Sequence, residues 1–170
     1  MKSILLLSIT MLFISNVRSQ SPVIRLYAYS RVTNSGVPDF NNKNQNTESS
    51  NLPKDYFIYA EIKKGTGINI STAFIDGKYY NVTIKKIKTP VIKDQYEGVM
   101  NSNKKYILVK KSNNDMFEIK RNDQINDLSL LSKAEKMRKE NSLMLIAKYK
   151  ATILYPVLKN ITVLQPVQGM

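Results

Sequence analysis

The sequence predicts a mainly β fold: an antiparallel β-sandwich, or alternatively an open β-barrel of similar size, with one short helix near 130–140. Three observations carry this. Runs of β-branched and aromatic residues alternate with polar ones at period two over much of the chain. Gly, Pro, Asn and Asp punctuate those runs at short intervals. One of the breaks, Asp76-Gly77, is the strongest short-range hairpin signal a sequence offers.

The alternating run 23–31, VIRLYAYSR, predicts a strand with Pro22 just before it, where a missing N–H does least harm. The stretch 33–54 is dense in Asn, Ser, Gly and Pro, has no periodicity, and its length suggests disorder, a flap or a binding loop, the last making it a candidate working surface. Residues 56–63, YFIYAEIK, are aromatic or branched at nearly every position and predict a well-buried strand. Residues 68–86 predict a hairpin about Asp76-Gly77, with Tyr80, Val82 and Ile84 on one face and Tyr79, Asn81, Thr83 and Lys85 on the other. The double lysine before Ile87 breaks the alternation as a bulge or a strand end would.

Residues 89–103 read as turn and loop, and 105–110 with 116–120 as a second hairpin about Ser112–Asp115. Residues 128–140 space Leu130, Leu131, Ala134 and Met137 as a helix face, with Ser132 and Glu135 as a capping box. Residues 143–155 alternate again as one long strand ended by Pro156, and 160–164 predict a last short one, giving seven or eight strands in all. Pro-Val-apolar-basic recurs at Pro22, Pro90 and Pro156, but the residues that follow share no pattern, so strand-edge prolines explain the echo better than a duplicated unit.

The first residues set an expectation about location. Lys2, an apolar run from Ile4 to Ile14, and small side chains at Val17 and Ser19 follow the order of an export signal over 1–19, with cleavage before Gln20. The run is shorter than the roughly 20 residues of a spanning helix. The remainder, 20–170, suits one β-rich domain, and an exported protein, periplasmic or secreted, is expected. No cysteine follows the leader, so neither a disulfide nor a lipoprotein anchor is expected.

Composition excludes whole classes of chemistry. The chain has 26 Lys and Arg against 13 Asp and Glu, a net charge of +13, and neither His nor Cys. Ser-His-Asp and Cys-His machinery cannot be built without imidazole, and the commonest zinc ligand is missing. No cofactor and no metal are expected. The positive charge is mostly lysine in short pairs from Lys63/Lys64 to Lys120/Arg121. Such a surface attracts polyanions, although lysine spread along every segment also reads simply as solvated faces. Specific nucleic-acid readout is not expected, because the arginines are few and widely spaced.

Carboxylates are the remaining catalytic groups. Asp76 and Asp115 fall in turns, and Asp123 and Asp127, four apart, read most simply as helix-start caps. Glu61, inside an apolar strand, is the acid that stands out: either a buried carboxyl of raised pKa, or an edge-strand residue paired with a lysine. Three Asn-x-Ser/Thr triplets, at Asn69, Asn81 and Asn160, are about as many as the composition yields by chance. Tyrosine is the one enrichment, with 10 residues and no Trp. Arg25, Tyr27, Tyr29 and Arg31 share one parity, as do Tyr79 and Lys85, and these stripes are the candidate binding residues. The expectation is a non-enzymatic exported interaction or accessory protein with an anionic or polysaccharide partner in the envelope or outside the cell. The competing expectation is a carboxylate-dependent hydrolase of sugar or peptidoglycan built on Glu61 and a second acid.

Overall fold

A computed structural model describes residues 21–33, 53–96, 103–126, 137 and 139–167. The expected leader 1–19, most of the expected loop 33–54 and nearly all of the helix expected near 130–140 lie outside them. Asn141 Nδ2 donates to Met137 O at 2.8 Å. No helix among the described residues is long and apolar enough to cross a membrane.

The protein is mainly β. Its strands are β1 (Val23–Thr33), β2 (Lys54–Ile62), β3 (Ile68–Ile75), β4 (Lys78–Ile87), β5 (Val91–Tyr96), β6 (Asn103–Val109), β7 (Asp115–Ile125), β8 (Leu143–Tyr149), β9 (Thr152–Leu154), β10 (Val157–Leu158) and β11 (Thr162–Val167). Nine form one sheet in the order β10-β8-β3-β4-β7-β2-β1-β11, with β9 also on β8, while β5 and β6 form a small second sheet.

The β3–β4 hairpin forms where the sequence predicts it. Asp76 and Gly77 take φ of 44° and 86°, the left-handed values that a two-residue type I′ turn requires at both positions. Register then runs from Ile75↔Lys78 to Thr72↔Asn81, which turns Tyr80, Val82 and Ile84 toward the main core and buries Tyr79 on the opposite face.

The large sheet curls. Its inward side chains form one core: Leu26 and Ala28 of β1, Ile58, Ala60 and Ile62 of β2, Ala73 and Ile75 of β3, Ile119 of β7, and Leu143, Leu145 and Ala147 of β8. One short stretch bridges the two edges of the curl. Leu158 ladders to Leu143 on β8; from Thr162 onward the chain ladders to β1 at Tyr29. The β1–β11 pair is parallel, so the sheet is not wholly antiparallel as expected. An ascending strand on the free side of ascending β1 can pair in no other sense.

The small sheet packs on the outside of this half-barrel. Leu108 and Val109 of β6 bury against Tyr59 of β2 and Met116 of β7. Both faces of β2 are therefore covered, as its unbroken apolar sequence predicts.

Four sequence expectations are corrected. Residues 91–96, read as loop, are a strand, held by Val91 in the Tyr59 and Met116 cluster. The segments 105–110 and 116–120 do not pair with each other: β6 ladders to β5, and β7 to β2 and β4. Side chains at Ser112 and Asn114 are committed elsewhere, so the link passes between sheets instead of closing a hairpin. The run 143–155 is broken by Lys150 at φ 53°, which with Ala151 makes a turn into β9. Of the two readings of the double lysine, the strand end holds, since β4 stops at Ile87, and the bulge does not: Lys85↔Glu118 and Lys86↔Phe117 stay in register, and the irregularity lies between Tyr80 and Val82.

Candidate functional site

The outer face of β1 and β2 is built from four cross-strand pairs. In order they are Arg25↔Glu61, Tyr27↔Tyr59, Tyr29↔Phe57 and Arg31↔Asp55. Charged pairs thus flank two aromatic pairs, an arrangement that strand pairing favours.

Glu61 anchors one end. It is 8% exposed and lies on a central strand between β1 and β7, not at an edge. Its Oε1 accepts from Ser112 Oγ at 2.6 Å and Asn114 Nδ2 at 2.8 Å, and its Oε2 from the Tyr27 hydroxyl at 3.1 Å. The Asn114 and Ser112 bonds, helped by Tyr27 and the Arg25 charge, hold the carboxyl below its ordinary pKa against the opposing effect of burial. Neither environment expected for Glu61 is found: the pKa is lowered, and the hydrogen-bond partners are neutral donors. Ser112 N also donates to Thr89 Oγ1 at 3.0 Å, which ties the β6–β7 link to the start of the small sheet.

The predicted stripe does share one face, but its members do different work. The hydroxyls of Tyr27 and Tyr29 are spent on Glu61 and on the Leu108 carbonyl of β6. Both hydroxyl pKa values are raised, chiefly by burial. Arg25 is exposed, its guanidinium 5.9 Å from the Tyr27 ring. Arg31 lies 5.1 Å from the Phe57 ring and 3.6 Å from Asp55. Tyr79 is buried with Phe74 and Met144, away from this surface. Lys85 is exposed and opposite Glu118.

At the Arg31 end the surface opens. Lys93 of β5 reaches across β2 and sets its ammonium 5.0 Å from the Phe57 ring centre. A hollow of about 430 Å³ lies beside it, lined by Asp55, Phe57, Lys93, Glu118, Lys120 and Arg121. A second, of about 300 Å³, adjoins it between β4 and β5 and shares Lys93 and Glu118. Lys88 and Ile92 line that part, with Tyr59 as its floor. Burial, then the nearby Glu118 charge and Tyr29, push the Tyr59 hydroxyl up to about 12. Both hollows are at the small end of ligand-site sizes, roughly 300–1,000 Å³. Together they form a groove with four cations and two carboxylates in its walls.

A third cation cluster is structural. Arg121 lies 5.0 Å from the Tyr56 ring and 5.6 Å from the Tyr80 ring, and donates to Lys54 O at 3.1 Å. The Tyr56 hydroxyl donates to Asp76, which also faces Lys54 Nζ at 3.7 Å. The β3–β4 turn is thereby tied to the start of β2 across the end of the curl. Asp115, expected in a turn, begins β7 and pairs with Lys86 at 2.8 Å.

Phe57, Lys93, Glu118 and Lys120 were not singled out by sequence. Phe57 carried a signal, because it shares the parity of Tyr59 and Glu61. Lys93 carried none, since its segment read as loop. No group of three or more Asp and Glu able to hold a metal occurs among the described residues. No protein-family model, curated protein or solved structure matches the chain.

Proposed function

We propose that this protein is an exported, non-enzymatic binding module whose groove between β2, β7 and β5 takes an anionic polysaccharide of the envelope or cell exterior. The observation that carries the reading is the convergence of Lys93 and Arg31 on Phe57, from different strands, beside a hollow that Lys120 also lines. Cations gathered over an aromatic surface suit an anionic ligand with an apolar face. The leader supports export, and the net charge of +13 supports a polyanionic partner. Glu61 weighs against the general-acid role, which needs a carboxyl that keeps its proton near neutral pH, because its pKa is lowered. As a nucleophile or base it would first have to give up the hydrogen bonds that both its oxygens accept from Ser112, Asn114 and Tyr27.

Two measurements test the reading. Retention of the purified protein on immobilised polygalacturonate should fall steeply with salt, and Lys93→Glu with Lys120→Glu should abolish it. Retention unchanged in that variant would refute the groove. N-terminal sequencing of protein recovered from the producing cell should begin at Gln20; an intact Met1 would remove the export part.

A further inference from the structure

Resting on that reading, we infer that the groove is built for a linear oligosaccharide with one carboxylate per sugar, a uronate-type chain, laid across β2 and β7 with Lys93 at its midpoint.

Shape gives the first argument. The two hollows are not alternatives. They share Lys93 and Glu118, and together run from Asp55 on β2 to Pro90 before β5. A ligand filling both must be elongated and must pass the Lys93 side chain. That side chain is exposed, and among the described residues it makes no ion pair. Its contact there is the face of Phe57. A cation–π contact at an exposed site is weak enough for the ammonium to turn to a ligand carboxylate.

Charge pattern gives the second. The walls carry both signs: Lys120 lies 3.8 Å from Glu118, and Asp55 and Glu118 line the same groove as Lys88, Lys93 and Arg121. A densely charged strand such as a nucleic acid or a heavily sulfated polymer would bring anions against both carboxylates. A uronate chain separates its carboxylates by hydroxyl-bearing carbons. Those hydroxyls donate to Asp55 and Glu118 while the carboxylates meet ammonium groups. Phe57 and Ile92 supply apolar surface for the C–H face of a pyranose ring.

The test is calorimetric titration of the purified protein with di-, tetra- and hexagalacturonate, carboxyl-reduced hexamer, dextran sulfate and an oligothymidylate. Affinity should rise by about tenfold or more from dimer to hexamer. It should be lost on carboxyl reduction and fall by about tenfold in Lys93→Ala, an exposed site whose truncation leaves the fold intact. Glu118→Gln should improve binding of dextran sulfate more than of the hexamer. Tighter binding of dextran sulfate than of hexagalacturonate, or no dependence on length, overturns this inference and leaves the anionic-polysaccharide reading standing. Tightest binding of the oligothymidylate, or binding of none of the acidic polymers, overturns both.

Discussion

Asn114 Nδ2 donates to the Glu61 carboxylate at 2.8 Å across 53 residues of chain. That bond and the Ser112 bond to the same oxygen pin the β6–β7 link to the barrel. Because β5 is laddered to β6, they also set how the small sheet lies on β2, and so the width of the groove beside Lys93.

Removing the carboxylate should therefore loosen the small sheet. Glu61→Ala leaves three buried or half-buried donors without an acceptor, at a cost of about 2–3 kcal/mol. For a domain of this size that corresponds to a melting-temperature loss of roughly 5–10 °C. Glu61→Gln keeps an acceptor and should cost about half as much. Amide exchange should accelerate in 91–96 and 103–114 before it does in β3 and β8. Uniform acceleration would show that Glu61 does not act on this link.

Acid should act in the same place. Glu61 has a folded pKa below its unfolded value, so the linked stability is fully present above the unfolded pKa, roughly 4.3. It is lost as pH falls through the folded value. Urea denaturation at stepped pH should show wild type losing stability below about pH 4.5 more steeply than Glu61→Gln. Parallel curves would remove Glu61 as the titrating group.

Two turns make a matched pair for backbone strain. Gly77 sits at φ 86° with no heavy atom within 4 Å of a built Cβ, so Gly77→Ala meets only the backbone penalty and should destabilise by about 1 kcal/mol. Lys150 holds φ 53° without being glycine. Lys150→Gly should relieve comparable strain and stabilise by about 0.5–1 kcal/mol. Thermal melts of both variants give the signs directly.

The main core offers a fourth check. Leu145 of β8 is fully buried in the core that side chains of β1, β2, β3 and β7 also form. Leu145→Ala should cost about 2–5 kcal/mol by transfer and cavity terms together. A loss under 1 kcal/mol in chemical denaturation would show that the curled sheet is not packed around it.

What the sequence made legible was local. The Asp76-Gly77 hairpin needs only two left-handed residues and flanking alternation, all within 20 positions. The inward set of β8, Leu143, Leu145 and Ala147, follows from parity alone. What stayed hidden was set by distant partners. Val91–Tyr96 lacks clean alternation and is a strand because Tyr59 and Met116 offer it a surface. The closure of the curl depends on residues 157–167 meeting both β8 and β1. Glu61 was visible as an acid among apolar residues, but two of its three donors, Ser112 and Asn114, lay in a turn read as an ordinary hairpin loop. The stripe Arg25, Tyr27, Tyr29 and Arg31 was correctly gathered on one face. That two of its hydroxyls are taken up by Glu61 and Leu108 could not be read before β6 was placed.

The central claim is that an acidic sugar chain occupies the groove at Lys93. Amide chemical-shift mapping during titration with hexagalacturonate tests it most directly. The account predicts that the largest shifts fall on Phe57, Ile92, Lys93, Glu118 and Lys120, with Asp76 and Tyr80 at the end of the curl unmoved. Shifts centred on that end, or scattered evenly over the lysines of every strand, would contradict it.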